Sequence, residues 1–521
     1  MATLAAGSNT TIAISVGSVL RASGSGTAQI LPPGAPGDDT QQRTLSAAET
    51  NFGPYTVAVS VLLVANSSGA GITYNSDANA AGQSSVSGDR DPNGFAMIGD
   101  SRQKSVHNDS EATPAVITKL MAWHFWTWAN WTPAIAGAMK LYYAGGQGGY
   151  TTDQYLARLD GAIASRAGWL IIWGTANDVL LGYTAEQSWF GWASGAKPAT
   201  GNVATSVGVK GAVDAALAAG MRVVLVGETG YAATSGNFNA MRAVNKYDGY
   251  CKKYARQYPG RVVFWDPKKA SHDRTAAYTK FKTGYSTDGT HPIALGCAYQ
   301  GWDFAAVIQP YLALSCGDVL PIGLWEQYGN GGIQLLSNQL FTTTTGGQVG
   351  TGVTGNVPSN WRVDCIGSCT VAVSTGASTA ADPVGNELIL TVTPTGAGSV
   401  KITHTGVPAP AAGDVWLGGF EVAVDGTPAN YCGAYMQAFS QTDPGSGAVN
   451  NSVYSHYTAS ALAGMGPGPA VAYTQIQRTP EMTVNSGTAT QQNVQIYAVF
   501  EGAASAITVR IRRPSLMAVP A

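Results

Sequence analysis

The sequence predicts an α/β domain built on a parallel sheet, set between a small N-terminal β unit and a C-terminal β-sandwich. Three observations carry this. Apolar strand runs alternate with helical stretches from about Phe95 to Leu314. After about Pro321 the helical pattern stops and alternating strands take over. Before both, residues 1–76 read as short strands broken by Pro/Gly turns.

In chain order, the first unit contains TTIAISVGSVLRA and FGPYTVAVSVLLVA, separated by ILPPGAPGDD, whose Pro and Gly break regular structure. Residues 77–92 are polar and glycine-containing and read as a linker. The central unit, residues 93–318, holds the buried-strand runs FAMIGDS, KLYYAGG, WLIIWGT, RVVLVGET and RVVFWDP. Between them lie TTDQYLARLDGAIASRA, VGVKGAVDAALAAG and FNAMRAVNKYDGYCKKYARQY, with apolar residues at helical spacing. That alternation gives βαβ units, hence a parallel sheet with helices on both faces. Residues 319–521 carry ELILTVTPT, SVKITHTGV, DVWLGGFEVAVDG, NVQIYAVFEG and AITVRIRRPSL, the pattern of a β-sandwich.

At 521 residues the chain suits several domains rather than one. Charged residues make up only 12%, about half the usual share, so the surface must be polar through Ser, Thr, Asn, Gln and backbone. A formal charge of −2 and no basic patch remove the electrostatic case for nucleic acid or an anionic membrane. No stretch is long and apolar enough for a membrane span, and the N-terminus lacks the basic start and unbroken apolar run of a signal peptide. Six cysteines in a chain this long do not make a disulfide framework. Cys365 and Cys369 are near enough to pair or to stay as thiols. No histidine lies near them to suggest a metal, and no cofactor motif is present.

Four signals fall at strand ends, where open parallel sheets bind their ligands. FAMIGDSR runs a strand into Gly99-Asp100-Ser101, a turn that exposes the serine hydroxyl. YYAGGQGGYTT supplies glycines that bring backbone N–H groups close to a substrate. WLIIWGTANDV ends a buried strand in Thr175-Ala176-Asn177-Asp178. STDGTHP places Asp288 three residues before His291, a spacing that can bring a carboxylate to imidazole Nδ1–H and leave Nε2 free for a proton.

Together these blocks resemble the SGNH (GDSL-like) hydrolase family, in which Ser, Gly, Asn and His occur in this order; the resemblance covers residues 93–315. It implies a flavodoxin-like sheet and a serine esterase without metal or cofactor. Ser101 would be the nucleophile, His291 the general base and Asp288 its orienting carboxylate. The backbone N–H groups of Ser101 and Gly149 and the Asn177 amide would form the oxyanion hole. Gly146 and Gly148 remain alternatives to Gly149, because the register of the glycine block is ambiguous. Arg102 stands where the family's GDSL form has Leu. Asp100 and Asp178 read as turn-fixing residues. His107, His124, His272, His404 and His456 read as structural or exposed.

Beside the nucleophile, MAWHFWTWANW gathers Trp123, Trp126, Trp128 and Trp131. They could form a sugar-stacking wall, Trp123 and Trp126 foremost, or pack in a core or interface. Glu228 and Tyr231, after RVVLV, could line the pocket. The C-terminal unit is similar to jelly-roll carbohydrate-binding modules, with Trp361, Trp416, Tyr431 and Tyr435 as stacking or core residues. The N-terminal unit is similar to β modules of phage virion proteins. These resemblances imply a tail-associated trimer that removes O-acetyl or similar short acyl groups from a bacterial surface polysaccharide, acting outside the cell and attached to other tail proteins. The alternatives are an adhesin with an inactive hydrolase domain, or a general lipase- or thioesterase-type esterase.

Overall fold

The computed structural model describes residues 90–104, 114–192, 206–229, 237–313, 333–441 and 450–519, short gaps within them excepted, and the backbone of eight strands before residue 75. Those strands are β1 (Ala2–Leu4), β2 (Asn9–Ile14), β3 (Leu20–Gly24), β4 (Gly26–Leu31), β5 (Gln42–Leu45), β6 (Thr50–Phe52), β7 (Val59–Ala65) and β8 (Ile72–Tyr74). They form two four-stranded sheets, ordered β1-β8-β3-β6 and β2-β7-β4-β5, with antiparallel pairings throughout.

The five apolar runs of the central unit become β9 (Asp91–Gly99), β10 (Lys140–Gly146), β11 (Ala167–Trp173), β12 (Arg222–Val226) and β13 (Val262–Trp265). They pair in parallel in the order β10-β9-β11-β12-β13. The order in which strands are added reverses between β9 and β11, so the crevice at their carboxyl ends is the natural ligand site.

Among the described residues ten α-helices accompany the strands. They are α1 (Ser101–Lys104), α2 (Phe125–Asn130), α3 (Thr152–Leu156), α4 (Leu159–Ala164), α5 (Ala176–Leu180), α6 (Ala185–Phe190), α7 (Gly208–Ala218), α8 (Phe238–Gln257), α9 (Lys268–Ser271) and α10 (Ala294–Ile308). Alternate side chains of one strand serve opposite faces. Ala96 and Ile98 pack with α4, α6, α7 and α8, while Phe95 and Met97 pack with α2 and α10.

The helices α2 and α10 are absent from the sequence reading, and burial on two sides explains why. One side of this pair covers the sheet; the other, through Trp128, Trp131, Ala294, Cys297 and Ala298, meets Cys432, Tyr435 and Val499 of the C-terminal unit. A helix apolar on opposite sides shows no single stripe. The predicted helix over 151–167 is also divided, into α3 and α4.

The C-terminal unit is a mainly antiparallel β-sandwich. Its strands are β14 (Ile333–Gln334), β15 (Gln348–Val349), β16 (Val353–Gly355), β17 (Trp361–Ala377), β18 (Asn386–His404), β19 (Val415–Val424), β20 (Tyr431–Gln441), β21 (Asn450–Tyr454), β22 (Tyr473–Arg478), β23 (Met482–Thr483), β24 (Gln491–Phe500) and β25 (Ile507–Val519). Only the short β15 and β16 among the described strands of this unit pair in parallel, both with β17. The long hairpin β17–β18 links both layers: Leu388–Val392 pair with β25, and Gly398–His404 pair with β24. Between those halves β17 shifts register at Gly367, which has φ +80°. A Cβ on Gly398 would lie 2.6 Å from the Ile366 carbonyl, so the corner requires glycine.

Trp361, Trp416, Tyr431 and Tyr435 are all buried in this unit. The stacking reading for them is therefore corrected: Trp361, Trp416 and Tyr431 lie in the core of the sandwich, and Tyr435 faces Trp128 and Trp131 of the central unit. Cys365 and Cys369 are free thiols.

Buried histidines couple this fold to pH. Burial lowers His124 and His456 to about 3 and His272 to about 4, and it lowers His404 as well. Neutral rings are favoured in the fold, so the unfolded chain takes up protons first. Their contribution is intact above about pH 6.5 and is lost as pH falls toward the folded values, at up to about 1.4 kcal/mol per pH unit per ring. Asp178 acts oppositely: burial raises it to about 7, so its contribution is lost as pH rises from about 4 to 7. Several rings outweigh one carboxyl, and calorimetry should show Tm falling on acidification from pH 6.5 to 5. The His456 ring has no hydrogen-bond partner among the described residues, so His456→Phe should flatten that slope; an unchanged slope would contradict the assignment.

Candidate active site

The carboxyl end of β9 turns sharply into α1, and glycine makes the turn possible. A Cβ on Gly99 would lie 1.9 Å from the Trp173 carbonyl of β11. Ser101 therefore opens α1 directly above the sheet. Its Oγ lies 2.7 Å from His291 Nε2, although the residues are 190 positions apart. His291 Nδ1 lies 2.6 Å from Asp288 Oδ2.

The turn around Asp288 is self-ordered. Its Oδ1 accepts the N–H groups of Thr290 and His291 at 2.8 Å each, and the Ser286 hydroxyl at 3.1 Å. Burial would raise the carboxyl, but hydrogen bonds from the His291 ring and from both backbone N–H groups prevail and hold it at about 2. The Asp288 and His291 side chains remain 51% and 44% exposed, so this part of the site is open to a large substrate.

The glycine block resolves in part. Gly146 packs against α1, where a Cβ would lie 2.1 Å from the Lys104 nitrogen; Gly148 and Gly149 face open space. Gly149 has φ +77°, and its N–H makes no hydrogen bond to a described residue. The next residue, Tyr150, accepts Asn177 Nδ2–H at its carbonyl at 2.9 Å. This bond brings the Gly149 loop and Asn177 together and leaves the second amide hydrogen of Asn177. Asp178 is buried and fixes the start of α3, accepting Thr152 N–H at 2.8 Å, Thr152 Oγ1 at 2.7 Å and Ser188 Oγ at 2.5 Å.

Three substrate-binding expectations are corrected. Trp126 is buried in the sheet core with its ring 5.9 Å from that of Phe95, and Trp123 packs half-buried against the Trp128–Trp131 cluster at the domain junction. Exposing indole is costly, and two apolar partners were available. Glu228 is likewise buried: it lies beneath the site, bonded to Arg102, rather than lining a pocket. Tyr231 and His107 lie outside the described residues.

Sequence reasoning missed two supports of the nucleophile turn. Arg102 is clamped between Asp100 and Glu228. The His124 ring lies 2.6 Å from Gln103 Oε1 in α1. The sole signal of the first was an arginine at a position otherwise read as apolar. Among the described residues no group of His, Cys, Asp and Glu could hold a metal, and no helix is long and apolar enough to cross a membrane.

Residues 98–299 match the model of the GDSL-like Lipase/Acylhydrolase family. No curated protein matches the chain. Among solved structures, the chain is similar to a GDSL-like lipase from Bacteroides thetaiotaomicron, at 14% identity over 42% of this chain and 86% of that one, with a TM-score of 0.28. An acetyl-xylooligosaccharide esterase from Geobacillus Stearmophilus matches at 16% identity over 42% of this chain and 95% of its own, with a TM-score of 0.31. The enzymatically active domain of tailspike protein 4 from Bacteriophage CBA120 matches at 16% identity over 35% of this chain and 21% of its own, with a TM-score of 0.23.

Proposed function

We propose that the protein, whose residues 98–299 match the GDSL-like lipase/acylhydrolase family, is a serine esterase that removes short acyl groups from a polysaccharide. The observation that carries this is the hydrogen-bonded series Ser101 Oγ, His291 Nε2, His291 Nδ1, Asp288 Oδ2, at 2.7 and 2.6 Å. In the first half-reaction the Ser101 proton moves to Nε2 as Oγ bonds to the acyl carbon. The tetrahedral intermediate then expels the sugar oxygen, which takes that proton from His291. Water, deprotonated by the same ring, attacks the acyl-enzyme, releases the carboxylic acid and restores Ser101. Asp288, held ionised, orients the ring and stabilises its charged form.

The developing oxyanion would lie against the N–H groups of Ser101 and Gly149 and the free amide hydrogen of Asn177. Asn177→Ala is expected to lower kcat by about 10²–10³-fold, the usual cost of losing one such donor. A change below threefold would remove Asn177 from this role.

The open setting of Asp288 and His291 supports an ester displayed on a bulky polymer, since both side chains are reached from solvent. The charge-poor, Gly-rich composition supports a virion tail setting at the bacterial surface; the homotrimer follows from that setting and not from composition. Acetate release from acetylated bacterial polysaccharides, set against hydrolysis of long-chain nitrophenyl esters, tests the substrate class. Faster turnover of the long-chain esters would favour a lipase instead. A mass measurement in solution tests the trimer.

A further inference from the structure

Glu228 lies at the carboxyl end of β12, 1% exposed, and its carboxylate joins two turns that the chemistry must keep in register. On one side it meets Arg102, the residue after the nucleophile: Oε1 accepts Nη1–H, and Oε2 accepts Nη2–H at 3.0 Å. The same guanidinium donates to Asp100, just before the nucleophile, at 2.6 and 3.1 Å, and to Thr229 Oγ1 at 2.8 Å. The Trp173 ring lies 4.8 Å beneath it. On the other side, Glu228 Oε2 accepts both the N–H and the hydroxyl of Thr175 at 3.0 Å, two residues before Asn177.

The backbone of Glu228 is itself fixed. Its N–H donates to Asp248 Oδ1 at 2.9 Å, and its carbonyl accepts Lys268 Nζ–H at 2.7 Å. One buried carboxylate thus ties the ends of β9 and β11 to that of β12. A buried ion pair contributes little net stability, because desolvation offsets the attraction. What it supplies here is geometry.

We infer that Glu228 is a positioning residue: through Arg102 and Thr175 it holds the Ser101 turn and the Asn177 turn at a fixed separation. This rests on the esterase reading proposed above. The nucleophile must meet the acyl carbon while Asn177 meets its oxygen, and a misplacement of about 1 Å can cost about 100-fold in rate. Because Glu228 touches no substrate, its loss should act on turnover and not on binding.

The test uses the full chain, nitrophenyl acetate and active-site titration with an organophosphorus ester, so that folded sites alone are counted. Glu228→Gln keeps the shape and loses the charge; kcat per titrated site is expected to fall about 100-fold with KM within about threefold. In Asp100→Asn/Arg102→Met/Glu228→Leu, where all three charges of the buried cluster are gone, Tm is expected to recover toward wild type while kcat stays low. Recovery of kcat together with Tm would overturn the inference, as would a Glu228→Gln enzyme within fivefold of wild-type kcat. If Glu228→Gln yields no titratable sites, the triple variant alone decides. A wild-type chain that hydrolyses no ester would instead sink the esterase reading.

Discussion

Replacing Ser101 with Ala is expected to abolish ester hydrolysis, with kcat falling by about 10⁴-fold or more. The reason is chemical rather than structural. Without the hydroxyl no acyl-enzyme forms, and only the donors around the oxyanion remain to assist attack by water. Ser101 is partly exposed at the start of a four-residue helix, so removing one oxygen should leave Tm nearly unchanged. His291→Ala should lose nearly as much, and Ser101→Ala/His291→Ala no more than either single change, because the two act as a unit. If the losses multiplied, the residues would be acting independently and the shared-proton mechanism would be wrong. Hydrolysis by Ser101→Ala at near wild-type rate would place the chemistry elsewhere.

Gly99→Ala should have the largest effect on folding of any single methyl addition near the site. The added Cβ would fall 1.9 Å from the Trp173 carbonyl and 2.6 Å from Gln103 Cγ. The first contact is with the backbone of the neighbouring parallel strand, which pairs Trp173 with Gly99 and cannot yield without breaking the ladder. The expected loss is about 3 kcal/mol or more, at the severe end of overpacking. Urea unfolding followed by tryptophan fluorescence would measure it, since Trp169 and Trp173 lie in the same sheet. Gly149→Ala is the contrasting case: no atom of a described residue lies within 4 Å of the added Cβ, so its cost is confined to the positive φ. Equal losses from the two substitutions would contradict the packing described.

The contrast between these glycines also shows what the sequence could and could not reveal. Strands β9 to β13 were legible because each is a short apolar run ended by a glycine or polar turn, and burial on both faces of a parallel sheet requires that composition. Ser101, Asp288 and His291 were legible because a strand end, a turn and a three-residue spacing are local features, and the fold brings them within hydrogen-bonding reach. Arg102 and Glu228 were not legible as a pair. They are 126 residues apart, and alone Glu228 reads as a pocket-lining carboxylate and Arg102 as a departure at the position after the serine.

The tryptophans show a different limit. An aromatic cluster beside a nucleophile suits a sugar wall and a domain junction equally well in one dimension. The choice was made by α10, which meets α2 on one side and the β-sandwich on the other, and so draws Trp128 and Trp131 into the junction. Ile476 N–H donates to the Trp131 carbonyl at 2.8 Å, which fixes strand β22 against the end of α2. Local pattern cannot register such a contact, because the partner strand lies more than three hundred residues downstream.

The most direct test of the central claim is to trap the nucleophile. Treatment with an organophosphorus ester, followed by peptide mass mapping, should give one adduct per chain, on Ser101, and labelling should slow strongly in His291→Ala. An adduct on another residue, or none under conditions where the ester substrate is turned over, would contradict the account.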